Sequence, residues 1–325
     1  MQNGEYNQLE PPLISIIIPA YNVSNYIGEA LRSIFIQDFE SYEVIVVNDG
    51  SSDTPELEKV LEPYRGKIHY IYQENRGISA ARNAALRVAR GELVALLDAD
   101  DVWLEGKLSE QVEFMKQAQF DLVYADALLI GDVPWPKGTT FMDRSPSEGP
   151  VTLNSLLGLR VTVVVSTVIM RKDLVQQVGG FDEEDRNITE DFDLWLRLAR
   201  SGARMGYQRK ILAEYRYRSD SISAGRITLH EAALNVLRKT RRGMTLSLSE
   251  EDALQRTEQR LQGILMLERS KTMIVKGEIE EARAMLAKAR KTDSSWKVSL
   301  ALVALRTFPG LLRRYIQKRY PSLSN

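Results

Sequence analysis

Residues 98–101 read Asp-Ala-Asp-Asp and close an apolar run, GELVALL, that is built for burial. Two unit negative charges about 5 Å apart repel by roughly 3 kcal/mol at an effective dielectric near 20, so the cluster requires a partner: water, a basic side chain or a metal ion. Pro19, Ala20, Tyr21 and Asn22 follow a second apolar run, and Asn48, Asp49 and Gly50 follow a third. Polar residues that recur where apolar runs end imply a pocket for one ligand. A pocket rich in Asp and poor in Gly suits a hard divalent cation, which takes oxygen ligands and bridges to substrate phosphates; Asp98 and Asp100 can serve it. No G-x-G-x-x-G follows a strand and no G-x-x-x-x-G-K-[ST] occurs, so glycine-loop cofactor chemistry is not expected.

Alternating elements must position these residues. LISIII from residue 13, an amphipathic stretch with Tyr26, Ile27, Ala30, Leu31 and Ile34 on one face, and EVIVV at 43–47 read as strand, helix, strand. Thr54-Pro55 marks a helix start, residues 68–72 a strand, Ser79 to Arg90 a helix closed by Gly91, and GELVALL a fourth strand. Wholly apolar strands separated by helices indicate a mostly parallel sheet covered on both faces, with ligands at the strands' carboxyl ends. Beyond it the pattern predicts a helix from Lys107, strands at 121–126, 161–170 and 211–218, a long loop over 131–150 and a helix at 190–200. From Ile227 the pattern is helical throughout, with Ser249 and Asp252 as a capping pair; one segment, GEIEEARAMLAKARK, resembles a tetratricopeptide helix but lacks a second copy. The expected organisation is a tail at 1–12, an α/β domain at 13–226 and a helical domain at 227–325.

Composition narrows the chemistry. With 43 basic and 44 acidic residues the chain has a net charge of -1, so nothing global advertises nucleic acid. The absence of cysteine excludes disulfides, thiolate zinc sites and thiol nucleophiles, and two histidines, His69 and His230, exclude a histidine-rich metal site. Any metal is held by oxygen. The opening residues lack the features of a secretory signal and no apolar run approaches about 18 residues, so a cytoplasmic location is expected.

Five segments, SIIIPAYN, VIVVNDGSSD, ENRGISAARNAAL, LLDADD and EDFDLWLRLA, occur in order between Ile14 and Ser223. In sequence and spacing the chain resembles glycosyltransferase family 2, nucleotide-sugar transferases of GT-A fold. The resemblance implies that Pro19, Ala20, Tyr21 and Asn22 line the nucleoside, with Asp49 accepting a hydrogen bond from the base. It also brings Arg82 to that pocket, Asp98 and Ala99 to the ribose or sugar, and Asp100, with Asp98, to a Mn²⁺ or Mg²⁺ ion that bridges the diphosphate. Asp191, paired with Glu190 in the E-D motif, is the candidate base that takes the acceptor's proton, opposite the leaving group, which implies inversion. One departure stands out: where many relatives carry Y-R-x-H, this chain has Y-R-Y-R, ending at Arg218. A guanidinium cannot ligate a metal but pairs with phosphate oxygens, so some of the diphosphate's neutralisation is expected to move to Arg218.

The expected function is therefore an inverting, metal-dependent glycosyltransferase of polysaccharide biosynthesis, using a nucleoside-diphosphate sugar, expected to be a UDP-sugar, and a glycan, lipid-linked or protein hydroxyl. Two alternatives stand beside it: a non-catalytic nucleotide-sugar-binding module with a helical scaffold, and a nucleotidylyltransferase. Single residues also admit structural roles. Asp49 can organise its own turn, Asp98 can pair with Arg82, Asp101 can cap a helix, Glu190 and Asp191 can favour a helix amino end, and Trp195 reads as core. In the carboxyl-terminal stretch 296–320, Leu311, Leu312, Tyr315 and Ile316 are expected to share a face opposite Arg313, Arg314, Gln317 and Lys318, the pattern of a helix lying on a membrane surface. The same leucines can instead dock within the protein.

Overall fold

The computed structural model describes residues 11–184, 188–218, 226–292 and 296–319. Most of the expected amino-terminal tail and the last residues of the expected family match, 219–223, lie outside the described residues. The chain divides into two compact units, Met1–Leu156 with Arg160–Asp220, and Leu157–Leu159 with Ser221–Asn325.

In the first unit the order is β1 (Ile14–Ala20), α1 (Ile27–Phe35), β2 (Tyr42–Asp49), α2 (Thr54–Leu61), β3 (His69–Gln73), α3 (Ile78–Val88), β4 (Leu93–Leu96), β5 (Val102–Trp103) and α4 (Lys107–Ala118). There follow β6 (Leu122–Gly131), α5 (Phe141–Arg144), α6 (Leu153–Leu157), β7 (Ile169–Arg171), α7 (Lys172–Gln177), α8 (Glu190–Arg200) and β8 (Met205–Tyr217). The sheet order is β3-β2-β1-β4-β7-β6-β8-β5. β1 pairs in parallel with β2 and β4, and β2 with β3. β7 is antiparallel to both β4 and β6, and β6 is parallel to β8, so the carboxyl ends of β1, β2, β3, β4, β6 and β8 all lie along one edge. Chain direction reverses its march across the sheet between β1 and β4, the switch point at which open α/β sheets leave a crevice.

The apolar strands explain this arrangement. Ile14, Ile16 and Ile18 pack with Val44, Val46 and Ala95 against Ile27, Leu31 and Ile34 of α1. On the opposite face α3 packs on β1 and β2 through Ala80, Ala81, Ala84 and Ala85, whose small side chains let the helix lie close. Covering both faces is what a strand without polar alternation needs.

Several local expectations shift. Of the strand expected at 161–170 only Ile169–Arg171 joins the sheet. Val161, Val163 and Val164 are buried, but Val165–Thr167 form a 3-10 turn in which Thr167 Oγ1 donates to Val164 O at 2.7 Å and accepts the Ala125 N–H at 2.9 Å. These side-chain bonds replace the ladder. The loop at 131–150 contains the one-turn helix α5, closed by a Thr140–Asp143 capping box.

The second unit consists of α9 (Arg226–Gly243), α10 (Leu248–Lys276), α11 (Ile279–Thr292), α12 (Trp296–Thr307) and α13 (Pro309–Arg319). α10 starts two residues earlier than expected, so its reciprocal cap is Ser247 with Glu250 rather than Ser249 with Asp252. Ile274, Ala282, Leu286, Val298, Leu305 and Ile316 form one apolar core across α10 to α13.

Gly50 turns the chain out of β2 with φ +66°, and a Cβ there would lie 2.6 Å from the Asn75 backbone nitrogen. Gly50→Ala therefore combines left-handed strain with a backbone collision, and should lower the unfolding free energy by about 1–3 kcal/mol in urea titration. An unchanged midpoint would show that the turn yields freely.

Candidate functional site

The carboxyl edge of the sheet collects the chemistry. After β1, Tyr21 is 48% exposed, and Asn22 takes φ 54°, placing its Oδ1 to accept from both the backbone N–H and the hydroxyl of Ser52 at 2.8 Å. After β2, Asn48 donates to Thr54 Oγ1 and Tyr70 OH, and accepts the Ser51 N–H. The β1 and β2 loops are thus knitted together, with Tyr21 left open beside them.

Asp49, at the end of β2, is buried and accepts from Gln73 Nε2 at 2.7 Å, Arg76 N at 2.9 Å and Gly77 N at 2.8 Å. Its carboxylate organises the approach to α3 rather than its own N-D-G-S turn, where Asn48 takes that part by accepting the Ser51 N–H. In turn α3 carries Arg82, which is 1% exposed. Arg82 Nη2 donates to Asp98 Oδ1 at 2.7 Å and Nη1 donates to Glu190 Oε1 at the start of α8. The guanidinium also lies 5.3 Å from the Phe181 ring. Burial pulls the Arg82 pKa down, but the fields of Asp98 and Glu190 more than reverse it, so the charge is locked on. Both terminal nitrogens are spent on carboxylates, which makes Arg82 a positioning residue in this geometry.

The DADD segment is fixed from two sides. Asp98 donates its backbone N–H to Ser166 Oγ, which donates to Asp101 Oδ2 at 2.5 Å. Asp101 Oδ1 accepts the Arg216 N–H at 2.8 Å, while Arg216 Nε donates to Asp100 O at 2.9 Å. Asp101 is therefore an internal anchor; burial, then Asp100 and Asp98, push its carboxyl well above the usual range. Ala99 between them is buried. Arg218 follows the end of β8 and contacts Asp100 Oδ2 through Nη1 at 3.3 Å, its guanidinium 4.8 Å from the Tyr26 ring. Sequence reasoning did not single out Ser166 or Arg216. The signal for Arg216 was its spacing of two from Arg218, which puts both on one face of a strand.

Asp100 is raised by burial and by Asp98, with Arg218 opposing, so the segment carries negative charge that a further cation would relieve. Among the described residues no group of three or more His, Asp or Glu side chains forms a self-sufficient metal site. Two carboxylates with the remaining ligands drawn from phosphate and water nevertheless match the preference of Mg²⁺, and these residues fit such an ion.

Asp191, the second residue of α8, is half-buried, and its Oδ1 accepts the Phe192 N–H at 2.7 Å. Burial and then Glu190 push its carboxyl up to about 7, with Arg82 opposing. A carboxylate poised there is a competent general base. Trp195 is buried, as read from the sequence. A cavity of about 410 Å³ lined by Asp126, Met142, Tyr207, Arg209 and Lys210 includes none of these residues, so the site is assigned by its side chains rather than by concavity.

Comparison with known proteins places the chain by family and by fold. The family model described as Glycosyl transferase family 2 matches residues 15–179. An uncharacterized glycosyltransferase of Rickettsia conorii is 32% identical over 231 residues, 69% of this chain and 37% of that protein, so the chain spans little more than a third of that relative. The putative teichuronic acid biosynthesis glycosyltransferase TuaG of Bacillus subtilis is 31% identical over 217 residues, covering 66% of this chain and 83% of that one. The UDP-Glc:alpha-D-GlcNAc-diphosphoundecaprenol beta-1,3-glucosyltransferase WfgD of Escherichia coli is 29% identical over 219 residues, covering 66% and 81%. Among solved structures, S. aureus TarS 1–349 in complex with UDP-GlcNAc aligns over 95% of this chain and 91% of its own, with a TM-score of 0.59 and 20% identity, a likeness of fold.

A base must be ionised to accept a proton, so a transfer reaction that uses Asp191 as its base should rise with pH through about 7 and level above it. Initial rates at saturating substrates across that range check the assignment; a flat profile through pH 7 would remove Asp191 as the titrating base.

Proposed function

Because the chain belongs to glycosyltransferase family 2, we propose that it transfers a sugar from a nucleoside diphosphate, UDP in the first instance, to a hydroxyl on a glycan, lipid-linked or protein acceptor, with inversion. One observation carries the reading: buried Arg82 ties Asp98, after β4, to Glu190, which stands next to Asp191, so the donor-side carboxylate and the candidate base belong to one bonded unit. The choice of UDP is supported by WfgD, whose name specifies UDP-Glc, and by the fold shared with TarS, solved with UDP-GlcNAc.

In this reading exposed Tyr21 stacks on the base, with Pro19, Ala20 and Asn22 framing it and Asp49 holding the neighbouring loop. Asp98 and Ala99 meet the ribose or sugar. Asp100, with Asp98, would hold Mn²⁺ or Mg²⁺, which when bound supplies Lewis-acid stabilisation of the charge growing on the diphosphate. Arg218 already contacts Asp100 and offers its guanidinium to the same phosphates, as the Y-R-Y-R departure suggests. Asp191 takes the proton from the attacking hydroxyl on the face opposite the leaving group, and a single base so placed gives direct displacement. Glu190 holds Arg82 and leaves proton transfer to its neighbour.

Asp191→Asn should retain donor binding yet lower transfer at least ~100-fold, the loss expected for a positioned base. Normal turnover of this variant with an authentic acceptor would exclude Asp191 from the chemistry. Asp100→Ala should weaken nucleotide-sugar binding in Mn²⁺ and show a much smaller defect without it, read by calorimetry. Equal affinities of the two proteins across a Mn²⁺ titration would contradict the metal role. Release of nucleoside diphosphate, rather than pyrophosphate, separates transfer of sugar from transfer of nucleotide.

A further inference from the structure

The carboxyl-terminal stretch 296–319 holds six basic residues, Lys297, Arg306, Arg313, Arg314, Lys318 and Arg319, and no acidic one, in a chain whose net charge is -1. The expectation of one apolar face on α13 is corrected by the packing. Ile316 is buried and Leu312 packs against the helical core, whereas Leu311 and Tyr315 point outward at 62% and 64% exposure. The reason is angular: at 100° per residue Leu312 and Ile316 stand about 100° around the helix from Leu311 and Tyr315. The same division runs through α12, where Val298 and Leu305 are buried while Leu300 and Val303 are exposed, and Phe308 at the junction is 62% exposed.

Docking within the protein therefore accounts for Leu312 and Ile316 but not for Leu311 and Tyr315. One set of apolar side chains closes the helical core, so the second set is spare. Arg313 belongs to the docked side, since its Nε donates to Val275 O at 2.9 Å. Arg306, Arg314 and Lys318 are exposed on the two helices that carry the spare apolar residues. Large apolar side chains held in water by a closed core, interspersed with cations and no anion, match a surface that is apolar beneath and negative on top. None of the described helices is long and apolar enough to cross a bilayer.

We propose that the outward face of α12 and α13, carried by Leu300, Val303, Phe308, Leu311 and Tyr315, docks on the surface of an anionic lipid bilayer. The apolar side chains enter the interface while Arg314 and Lys318 meet lipid phosphates. The proposal stands apart from the transfer reaction, because none of these residues belongs to the carboxylate site. If both hold, the docked face supplies a reason for the enzyme to meet a lipid-linked acceptor.

The test is sedimentation of the full chain with vesicles of mixed phosphatidylglycerol and phosphatidylcholine, and of phosphatidylcholine alone, at low and high salt. Binding is expected with the anionic vesicles and should weaken with salt. F308S/L311S/Y315S should lower the partition coefficient by about a hundredfold or more, and R314Q/K318Q by about thirtyfold. Both variants alter exposed side chains and should melt with the parent; if the first does not, the charge variant alone decides. A full chain that stays in the supernatant, or a charge variant that binds as the parent does, overturns the proposal. So does a concentration-dependent dimer of the parent, without vesicle binding, that the apolar variant abolishes.

Discussion

The carboxylate edge depends on one buried cation. Removing a guanidinium from water costs several kcal/mol, which is recovered only where its donors meet well-placed acceptors. Arg82 meets Asp98 and Glu190, with Phe181 against its guanidinium, although its Nε has no hydrogen-bond partner. The two acceptors come from segments far apart in sequence, one after β4 and one opening α8. Satisfying Arg82 therefore fixes the distance between them. Removing Arg82 would leave the buried Glu190 carboxylate without its cation and facing Asp98, the situation in which breaking a buried pair costs about 3–5 kcal/mol. The two bonds tie the start of α8 to the segment after β4.

Around this pair, each acid takes a different role according to what its oxygens touch. Asp49 accepts three N–H donors and becomes a loop brace. Asp101 bonds Ser166 and the Arg216 backbone, and becomes an anchor. Asp100 meets Arg218 at the longer distance of 3.3 Å, which leaves it the most disposed of the segment toward an incoming cation. The crowding of like charge that made DADD conspicuous is thus resolved by specialisation. A third carboxylate held by hydrogen bonds inside the fold leaves Asp98 to Arg82 and Asp100 to Arg218.

Much of this was legible because period and composition act locally. The isoleucines of β1, the apolar run of β4 and the first turn of α8 follow from patterns that a few residues contain. Where side chains bond across the fold, the pattern misled. Residues 161–164 have strand composition, yet Ser166 and Thr167 bind Asp101, Val164 and Ala125 and divert the chain from the ladder. The α10 cap was displaced by two residues because Ser247 and Ser249 are equally plausible until the helix start is known. The α5 capping box, T-x-x-D, is a local signal that the Gly, Pro and Ser around it obscure. Arg82 marks the limit: its partnership with Asp98 was conceivable from sequence, but its simultaneous hold on Glu190 required the sheet order.

The same burial that orders the edge sets an opposition between folding and the proton acceptance proposed for Asp191. Its carboxyl is shifted up to about 7 in the fold, against about 3.9 in an unfolded chain. The folded state therefore retains the proton across a range in which the unfolded state has lost it. That preference stabilises the fold fully below the unfolded value, weakens as pH rises from about 4, and is gone above about 7. Proton acceptance needs the opposite, an ionised carboxylate, which is present only where this stabilisation has vanished. Arg82 moderates the conflict, since its field opposes the shift that burial and Glu190 impose. A residue with no chemical duty would gain stability by being neutral in this position. A carboxylate kept at the boundary between its two forms is what the surrounding charges allow, and what a proton acceptor near neutral pH requires.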